Sequence, residues 1–77
     1  MLKLFAGARE AAGISSVSIE ATTVDELLQI AVDTYGKGLK DVLTISRIWL
    51  NGEPADLKAP ITSGDEVAVL PPVSGGM

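Results

Sequence analysis

Apolar residues alternate with other residues in two segments near the N-terminus, residues 1–6 and 15–20. The alternating apolar residues are Leu2 and Leu4 in the first segment and Val17 and Ile19 in the second. A period of two is typical of a half-buried β-strand, because successive side chains point to opposite faces. The pattern predicts two strands, and it places Phe5 on the face opposite the two leucines.

Helical patterns follow each of these segments. Residues 8–12 are rich in helix formers and precede Gly13, so they predict one or two helical turns. Thr23 and Glu26 have the spacing of a capping box, in which the threonine hydroxyl accepts from the Glu26 amide and the Glu26 carboxylate accepts from the threonine amide. Apolar residues then recur at helical spacing before Gly36, which predicts a long helix. They are Val24, Leu27, Leu28, Ala31, Val32 and Tyr35.

The second half of the chain returns to strand patterns. Residues 46–50 alternate and precede Asn51-Gly52, the pair that favours a type I′ hairpin turn. The returning strand is cut short by Pro54, as an edge strand would be. Residues 66–70 are apolar enough for a central strand. Two segments with weaker patterns connect these elements.

The weaker segments are residues 37–43 and 56–64. The first carries two glycine-lysine pairs and predicts a turn with a short helical piece. The second contains Pro60 and a Ser-Gly turn, and Leu57 and Ile61 are its candidate anchors on the core.

The strand patterns together divide the sheet into two faces. The residues predicted to meet the long helix are Leu2, Leu4, Val17, Ile19, Ile48 and Leu50. The residues predicted on the opposite face are Lys3, Phe5, Ser18, Glu20, Arg47 and Trp49. This mixed second face is typical of a partner surface, and the alternative is that a loop or the tail covers it. The arrangement predicts an α+β fold of the β-grasp, ubiquitin-like type, with a mixed sheet, one long crossing helix and short helical turns.

Composition narrows the classes of function. With 77 residues there is room for one small domain, which we assign to residues 1–70, followed by a flexible tail at 71–77. Cysteine and histidine are both absent, which removes disulfides, thiol catalysis and the usual general base. The net charge of −4 argues against nucleic acid and anionic membranes, and favours a protein partner with a basic cleft. No apolar run approaches the length of a membrane span, so a cytoplasmic location is expected.

The tail combines a stiff diproline, Pro71-Pro72, with two glycines one residue from the end. Glycines at that position have no turn to make, which favours a segment that is inserted or modified. The alternative is a frayed end, the usual state of terminal residues.

Several separated motifs, in order along the whole chain, give it a family resemblance. They are Leu4-Phe5-Ala6 with Arg9-Glu10 and Gly13, then Asn51-Gly52-Glu53, Gly64-Asp65-Glu66-Val67-Ala68, and Pro71-Pro72-Val73-Ser74-Gly75-Gly76. In this combination the chain resembles the MoaD-like small, sulfur-carrying subunit of molybdopterin synthase, with the thiamine-pathway carrier ThiS as a more distant relative.

The resemblance implies a carrier that is not catalytic alone and donates sulfur within a molybdopterin synthase complex. A partner enzyme would use ATP to adenylate Gly76, next to Gly75, and the product would become a thiocarboxylate. The tail would then enter the large subunit of the synthase and give sulfur to a pterin precursor of the molybdenum cofactor. The chain itself would bind no cofactor and no metal. The six residues from Pro71 to Gly76 span at most about 20 Å when extended, enough to enter a deep cleft.

By the same resemblance, partner contacts come from the open sheet face and the start of the tail. The candidates are Phe5, Arg9, Ile61, Pro71, Pro72, Val73 and Ser74. Core packing is the alternative for Ile61, and a solvated helix charge is the alternative for Arg9. Trp49 lies outside the shared motifs and has strand packing as its alternative. Asp65 and Glu66 are adjacent on a strand and point apart, so turn chemistry explains them better than paired acid and base.

Met77 departs from the family pattern, in which the chain ends at the second glycine. It holds the Gly76 carboxyl in a peptide bond, where neither adenylation nor thiolation can use it. We expect that Met77 is trimmed by a peptidase or is an artificial addition.

Three alternatives remain open from the sequence. A ubiquitin-like protein modifier would pass the activated glycine to a lysine amine, and a carrier could serve another sulfur pathway. A non-catalytic interaction module would have an inert tail. A free-standing enzyme is disfavoured because no nucleophile and base pair is present.

Overall fold

The structure is a computed structural model that describes residues 1–72. Every predicted segment of regular structure is present in it. The elements are β1 (Leu2–Leu4), α1 (Ala6–Ala12), β2 (Ser16–Val17), α2 (Val24–Tyr35), α3 (Lys37–Leu43), β3 (Arg47–Leu50), β4 (Glu53–Pro54) and β5 (Val67–Leu70). Within residues 1–72, no helix has the length and apolar character that crossing a membrane requires.

The strands form one mixed sheet in the order β2-β1-β5-β3-β4. β1 and β5 run parallel, whereas the other neighbouring pairs are antiparallel. β5 is central and the short β4 is an edge strand, as the apolar content of residues 66–70 and the position of Pro54 predict. Asn51 and Gly52 both have positive φ, 51° and 85°, which confirms the predicted turn of the β3–β4 hairpin.

The helices cover one face of the sheet and enclose the core with it. Strands β1 and β5 contribute buried leucines and valines, α2 contributes most of the remainder, and α1 and α3 add one buried residue each. The core consists of Leu2, Leu4, Ala8, Val24, Leu27, Leu28, Ala31, Leu39, Ile61, Val67 and Val69. Val17, Ile19, Ile48 and Leu50 pack against it, which confirms the predicted inner face. The α+β, β-grasp prediction is therefore confirmed.

The start of α2 differs in one detail from the predicted capping box. The amide of Glu26 donates to the Thr23 hydroxyl at 3.1 Å, as predicted. The Glu26 carboxylate, however, accepts from the amide of Thr22 at 2.7 Å and from the Thr22 hydroxyl at 3.2 Å, and not from the threonine at the cap. Thr22 offers two donors to one carboxylate oxygen, so this arrangement makes two bonds in place of one.

Two further predictions need correction. The strand predicted at residues 15–20 pairs over only two residues, because its register aligns Val17 with Leu2 and the following residues pass beyond the start of β1. Leu57 is 48% exposed and does not anchor the connection to the core. Its backbone has that role instead, since the Leu57 carbonyl accepts from the amide of Asp25 at 2.8 Å.

Candidate functional site at the root of the tail

The parallel pairing of β1 with β5 determines what surrounds the start of the tail. Leu4 is paired with Val69, so Phe5 and Leu70 emerge at the same end of the sheet. The antiparallel strand β3 begins there, with Arg47 paired to Leu70. Residues 70–72, which we call the tail root, therefore lie between the end of β1 and the start of β3.

Phe5 remains extended after β1, with φ −123° and ψ 154°, and precedes the first residue of α1. Strand alternation therefore continues to Phe5 and directs its side chain to the side of Lys3, away from the core. The side chain is 43% exposed. Its role as a partner contact stays a prediction, but its position at the tail root and its exposure suit that role.

An open groove of about 330 Å³ lies on the uncovered sheet face beside the tail root. It is lined by Ile45, Arg47, Trp49, Leu70, Pro71 and Pro72. Trp49 is half-buried, and its cross-strand neighbours are the small Ala68 on β5 and Pro54 on the edge strand β4. The groove combines apolar surface with a single charged lining residue, Arg47.

The sequence predictions did not place two members of this groove, Leu70 and Ile45, and Ile45 is 64% exposed. The signal was present, because extending the strand alternation one step backward places Ile45 in phase with Arg47 and Trp49 and out of phase with Ile48. Ile45 lies in the three-residue connection between α3 and β3, outside the strand predicted at residues 46–50.

Arg9 lies on the exposed surface of α1, in its last turn. Its carbonyl accepts from the amide of Gly13 at 2.8 Å, and Gly13 ends the helix with φ 79°. A cation in the last turn interacts favourably with the helix dipole. The exposed position of Arg9 is therefore also consistent with the alternative, a solvated helix charge. Partner binding by Arg9 stays a prediction.

Ile61 is placed where a partner can hardly reach it. Its side chain is only 8% exposed and belongs to the core, which is the alternative given for it above. Backbone contacts cause this burial. The Ile61 amide donates to the carbonyl of Thr22 at 3.0 Å, and Pro60 forms an isolated antiparallel β-bridge with Thr23. The connection is thereby held against the start of α2, so Ile61 points inward and is withdrawn from the partner surface.

The acidic motif before β5 has a structural role. Asp65 accepts from the amide of Thr62 at 2.9 Å and from the side-chain amide of Asn51 at 3.1 Å. The amide of Glu66 donates to the Asn51 side-chain oxygen at 2.9 Å. These hydrogen bonds, first that of the Thr62 amide, lower the pKa of Asp65 below its ordinary value.

Glu66 faces away from this network, toward the open side of the sheet. Its carboxylate lies 3.5 Å from the Lys3 ammonium, and both side chains are substantially exposed. Asp65 and Glu66 are therefore engaged separately, which supports turn chemistry over a joint acid and base. Within residues 1–72 no cluster of acidic side chains is arranged to hold a metal ion.

The remaining site predictions concern residues beyond the described part of the chain. Val73, Ser74, Gly75, Gly76 and Met77 all lie outside residues 1–72. The structure thus describes the surface from which the tail leaves. The groove in that surface is largely apolar with Arg47 as its one charged lining residue, and the tail root follows the central strand β5, which is paired on both sides.

Comparison with known proteins connects this architecture to a family. The family model of ThiS matches residues 2–76. A comparison with curated protein sequences finds no match.

Solved structures of similar proteins cover nearly the whole chain. SAMP1 from Haloferax volcanii is 32% identical, with 97% of this chain and 96% of that chain covered and a TM-score of 0.87. Small archaeal modifier protein 1 from Methanosarcina acetivorans is 31% identical, with 97% and 93% covered and a TM-score of 0.86.

A complex of subunits 1 and 2 of molybdopterin-converting factor from Helicobacter pylori contains a chain of equal identity, 32%. The match covers 97% of this chain and 95% of that chain, with a TM-score of 0.73. The family match spans all but the first and last residues, and the fold agrees. The chain therefore belongs to the ThiS family of ubiquitin-like β-grasp proteins.

Proposed function

We propose that this chain is a sulfur carrier whose reactive group is the carboxylate of Gly76. A Gly76 carboxylate oxygen attacks the α-phosphorus of ATP in a partner enzyme, and pyrophosphate leaves. Hydrosulfide from a sulfur donor then attacks the acyl carbon, and AMP leaves with the carboxylate oxygen. The chain then ends in a thiocarboxylate, whose sulfur is a soft nucleophile.

The observation that carries this proposal is the extent of the family match. It continues beyond β5 through Pro71 and the two glycines to Gly76, the residue before Met77. The tail is thus part of what defines the family and is not an unrelated extension. Met77 must be absent for the chemistry, because a peptide bond replaces the carboxylate while Met77 remains.

The architecture supports transfer of this tail between active sites. The tail leaves from the central strand β5, so its base is held by pairing on both sides. Pro71 and Pro72 restrict the backbone directly after the sheet, which lowers the entropy lost when the tail enters a cleft. Glycines at the end present no side chain to a narrow passage.

We further propose that the sulfur is delivered to a pterin precursor in a molybdopterin synthase, with the large subunit of that enzyme as partner. The similarity to subunit 1 of the Helicobacter pylori complex and the Pro71 to Gly76 motif support this destination. A carrier of this kind contributes a sulfur donor and depends on its partners for catalysis. The same intermediate could also serve another sulfur pathway.

Protein modification is the second candidate function. The similarity to the archaeal modifier proteins is as strong in identity, 32%, and stronger in TM-score. In that function a lysine amine attacks the acyl carbon of the Gly76 adenylate, AMP leaves and an amide bond forms. Both functions share the adenylation step and differ in the nucleophile that follows.

Mass spectrometry of the intact chain tests the proposal. A chain ending at Gly76 is incubated with ATP, sulfide and an adenylating enzyme from the same organism. We expect the mass to rise by the difference between sulfur and oxygen, with the change located at Gly76. The matched control is the chain that retains Met77, which should remain unchanged under the same conditions.

An unmodified Gly76 carboxylate with a competent enzyme would contradict both functions and favour an interaction module. To separate the two functions, lysine peptides from the source cells are examined for a Gly-Gly remnant of this chain. Abundant remnants would support the modifier. Their absence, together with sulfur incorporation into a pterin by the carrier and large subunit, would support the synthase function.

A further inference from the structure

The groove beside the tail root has a charge opposite to that of the whole chain. The chain has a net charge of −4, which alone predicts a basic partner. Yet none of the groove's lining residues is acidic, and Arg47 is the one charged residue among them. A partner that docks at the tail root meets this local charge first.

Arg47 also forms no ion pair with an acidic side chain in the described part of the chain. The ion pairs within residues 1–72 join Lys3 to Glu66 and Lys37 to Asp41, and neither includes Arg47. Glu66, an acid on the same face, is already engaged with Lys3. An exposed guanidinium without a carboxylate retains its capacity for a bidentate contact.

The apolar part of the groove is open to an incoming side chain. Ile45 is largely exposed, and Trp49, whose cross-strand neighbours are Ala68 and Pro54, lines the groove beside it. Aromatic residues and arginine are enriched in the parts of interfaces that contribute most to binding. Here both occur on one strand, two positions apart, so they lie on the same face.

From this arrangement we infer that the groove binds an acidic and apolar element of the enzyme that receives the tail. A carboxylate of that element pairs with Arg47, and an adjoining apolar side chain packs on Trp49 and Ile45. Arg47 is a specificity and positioning residue in this role, because it holds the tail in register without touching the reacting atoms. The inference rests on the proposed function, since it concerns the enzyme that adenylates Gly76.

The test measures the rate of adenylation of a chain ending at Gly76, at varied concentration of that chain, by the same adenylating enzyme that the mass experiment uses. Reversing the charge with Arg47→Glu should raise KM by about tenfold or more and leave kcat nearly unchanged, since like charges then face each other. Arg47→Gln should give a smaller rise. Lys58→Glu is the matched control, because it makes the same change of net charge on the exposed loop between β4 and β5.

The dependence of KM on ionic strength distinguishes a charge contact by Arg47 from a purely structural role, which would leave that dependence unchanged. For the wild-type chain KM should increase with added salt, since an exposed ion pair is screened, and for Arg47→Gln this dependence should be weaker. Thermal unfolding of each variant verifies that the fold is retained.

A third measurement uses the free chain, in which Trp49 is the single tryptophan. With each quenching constant divided by that of free N-acetyltryptophanamide, iodide should quench its fluorescence more strongly than caesium does, despite the net charge of −4, and Arg47→Gln should reduce the difference. Stronger quenching by caesium in the wild-type chain would overturn the inference. Equal KM changes for Arg47→Glu and Lys58→Glu would also overturn it, whereas failure of the wild-type chain to be adenylated would overturn the proposed function itself.

Discussion

Asp65 ties together two turns that are far apart in the sequence. Its carboxylate accepts from the loop before β5 and from Asn51 in the β3–β4 turn, and Asn51 in turn accepts from the amide of Glu66. Two motifs of the family resemblance, Asn51-Gly52-Glu53 and Gly64-Asp65-Glu66-Val67-Ala68, are joined by these hydrogen bonds. Their shared residues therefore have a role in folding and not in a reaction. They hold β3 and β5 in register, and β5 carries the tail.

Replacing Asp65 with asparagine should lower stability at neutral pH and have a smaller effect in acid. The folded state lowers the pKa of Asp65, so its contribution is present above the ordinary aspartate pKa of about 3.9 and is lost as pH falls through the folded value. Urea unfolding of both chains at pH 7 and at lower pH measures this.

Glu10→Gln is the control for the Asp65 variant, since Glu10 makes no side-chain hydrogen bond or ion pair within residues 1–72. An equal stability gap at both pH values would show that the Asp65 hydrogen bonds do not depend on its charge.

Ala6 has a positive φ of 49°, a conformation that alanine rarely adopts. It marks the sharp change of direction from β1 into α1, directly after Phe5. We expect Ala6→Gly to maintain or raise stability because glycine enters this region without a Cβ penalty. Ala6→Val should destabilise by about 1–3 kcal/mol, the range for a strained backbone conformation. Thermal unfolding measures both, and a destabilising Ala6→Gly would contradict the explanation.

At the scale of elements, the long helix is the feature that local sequence determines best. Thr23 caps it through its hydroxyl, and Asp25 and Glu26 place negative charge in the first turn, where the helix dipole favours it. Its apolar stripe faces the sheet, with four buried residues. Only the partner of the Glu26 carboxylate differs from the prediction, because it is Thr22 and not Thr23.

Removing the cap hydroxyl with Thr23→Ala should cost about 1 kcal/mol of stability, the usual value for a lost N-cap. Thr34→Ala serves as control, because Thr34 is exposed within the same helix and bonds only the carbonyl of Ile30. That change should be nearly neutral, since alanine has the higher helix propensity. Urea denaturation compares the two, and equal losses would exclude capping as the cause.

The short helix α3 contributes one fully buried side chain, Leu39. Leu39→Ala should destabilise the domain by about 2–5 kcal/mol, because it leaves a cavity in a small core. Leu57→Ala removes the same atoms from an exposed site and should cost far less. Equilibrium unfolding of the two variants measures the difference, and a similar cost for both would contradict the assignment of Leu57 outside the core.

At the scale of the whole molecule, the tail root leaves from the sheet at the end of the central strand. In the described part of the chain, residues 1–72, the buried core residues lie between Leu2 and Val69. The groove and Phe5 are on the uncovered face at the same end. The opposite end is occupied by the Asp65 network and the Ile61 connection, so folding and docking use different ends of one sheet.

A chain truncated after Pro72 should therefore unfold with unchanged stability, yet should not be adenylated or thiolated. Thermal unfolding and intact-mass measurement on the same sample test the two parts. A truncated chain that unfolds more easily would show that the tail contributes to the fold, and one that is still modified would place the reactive group elsewhere than Gly76.

The sequence by itself determined the order and type of the elements, the start of α2, the turn at Asn51-Gly52 and the identity of the core strands. These depend on local physics: hydrophobic periodicity, capping and positive φ are properties of neighbouring residues. The family motifs were likewise visible in the sequence, including the Gly75-Gly76 end to which the family match extends.

Only the tertiary structure decided which side chains share a surface. Ile61 and Leu57 are both apolar residues of one loop, yet the pairing of Pro60 with Thr23 turns Ile61 into the core and leaves Leu57 in solvent. Net charge predicted a basic partner, but the strand order places Arg47, which has no ion pair within residues 1–72, beside the tail root. Such outcomes depend on contacts between residues distant in sequence, which no local pattern encodes.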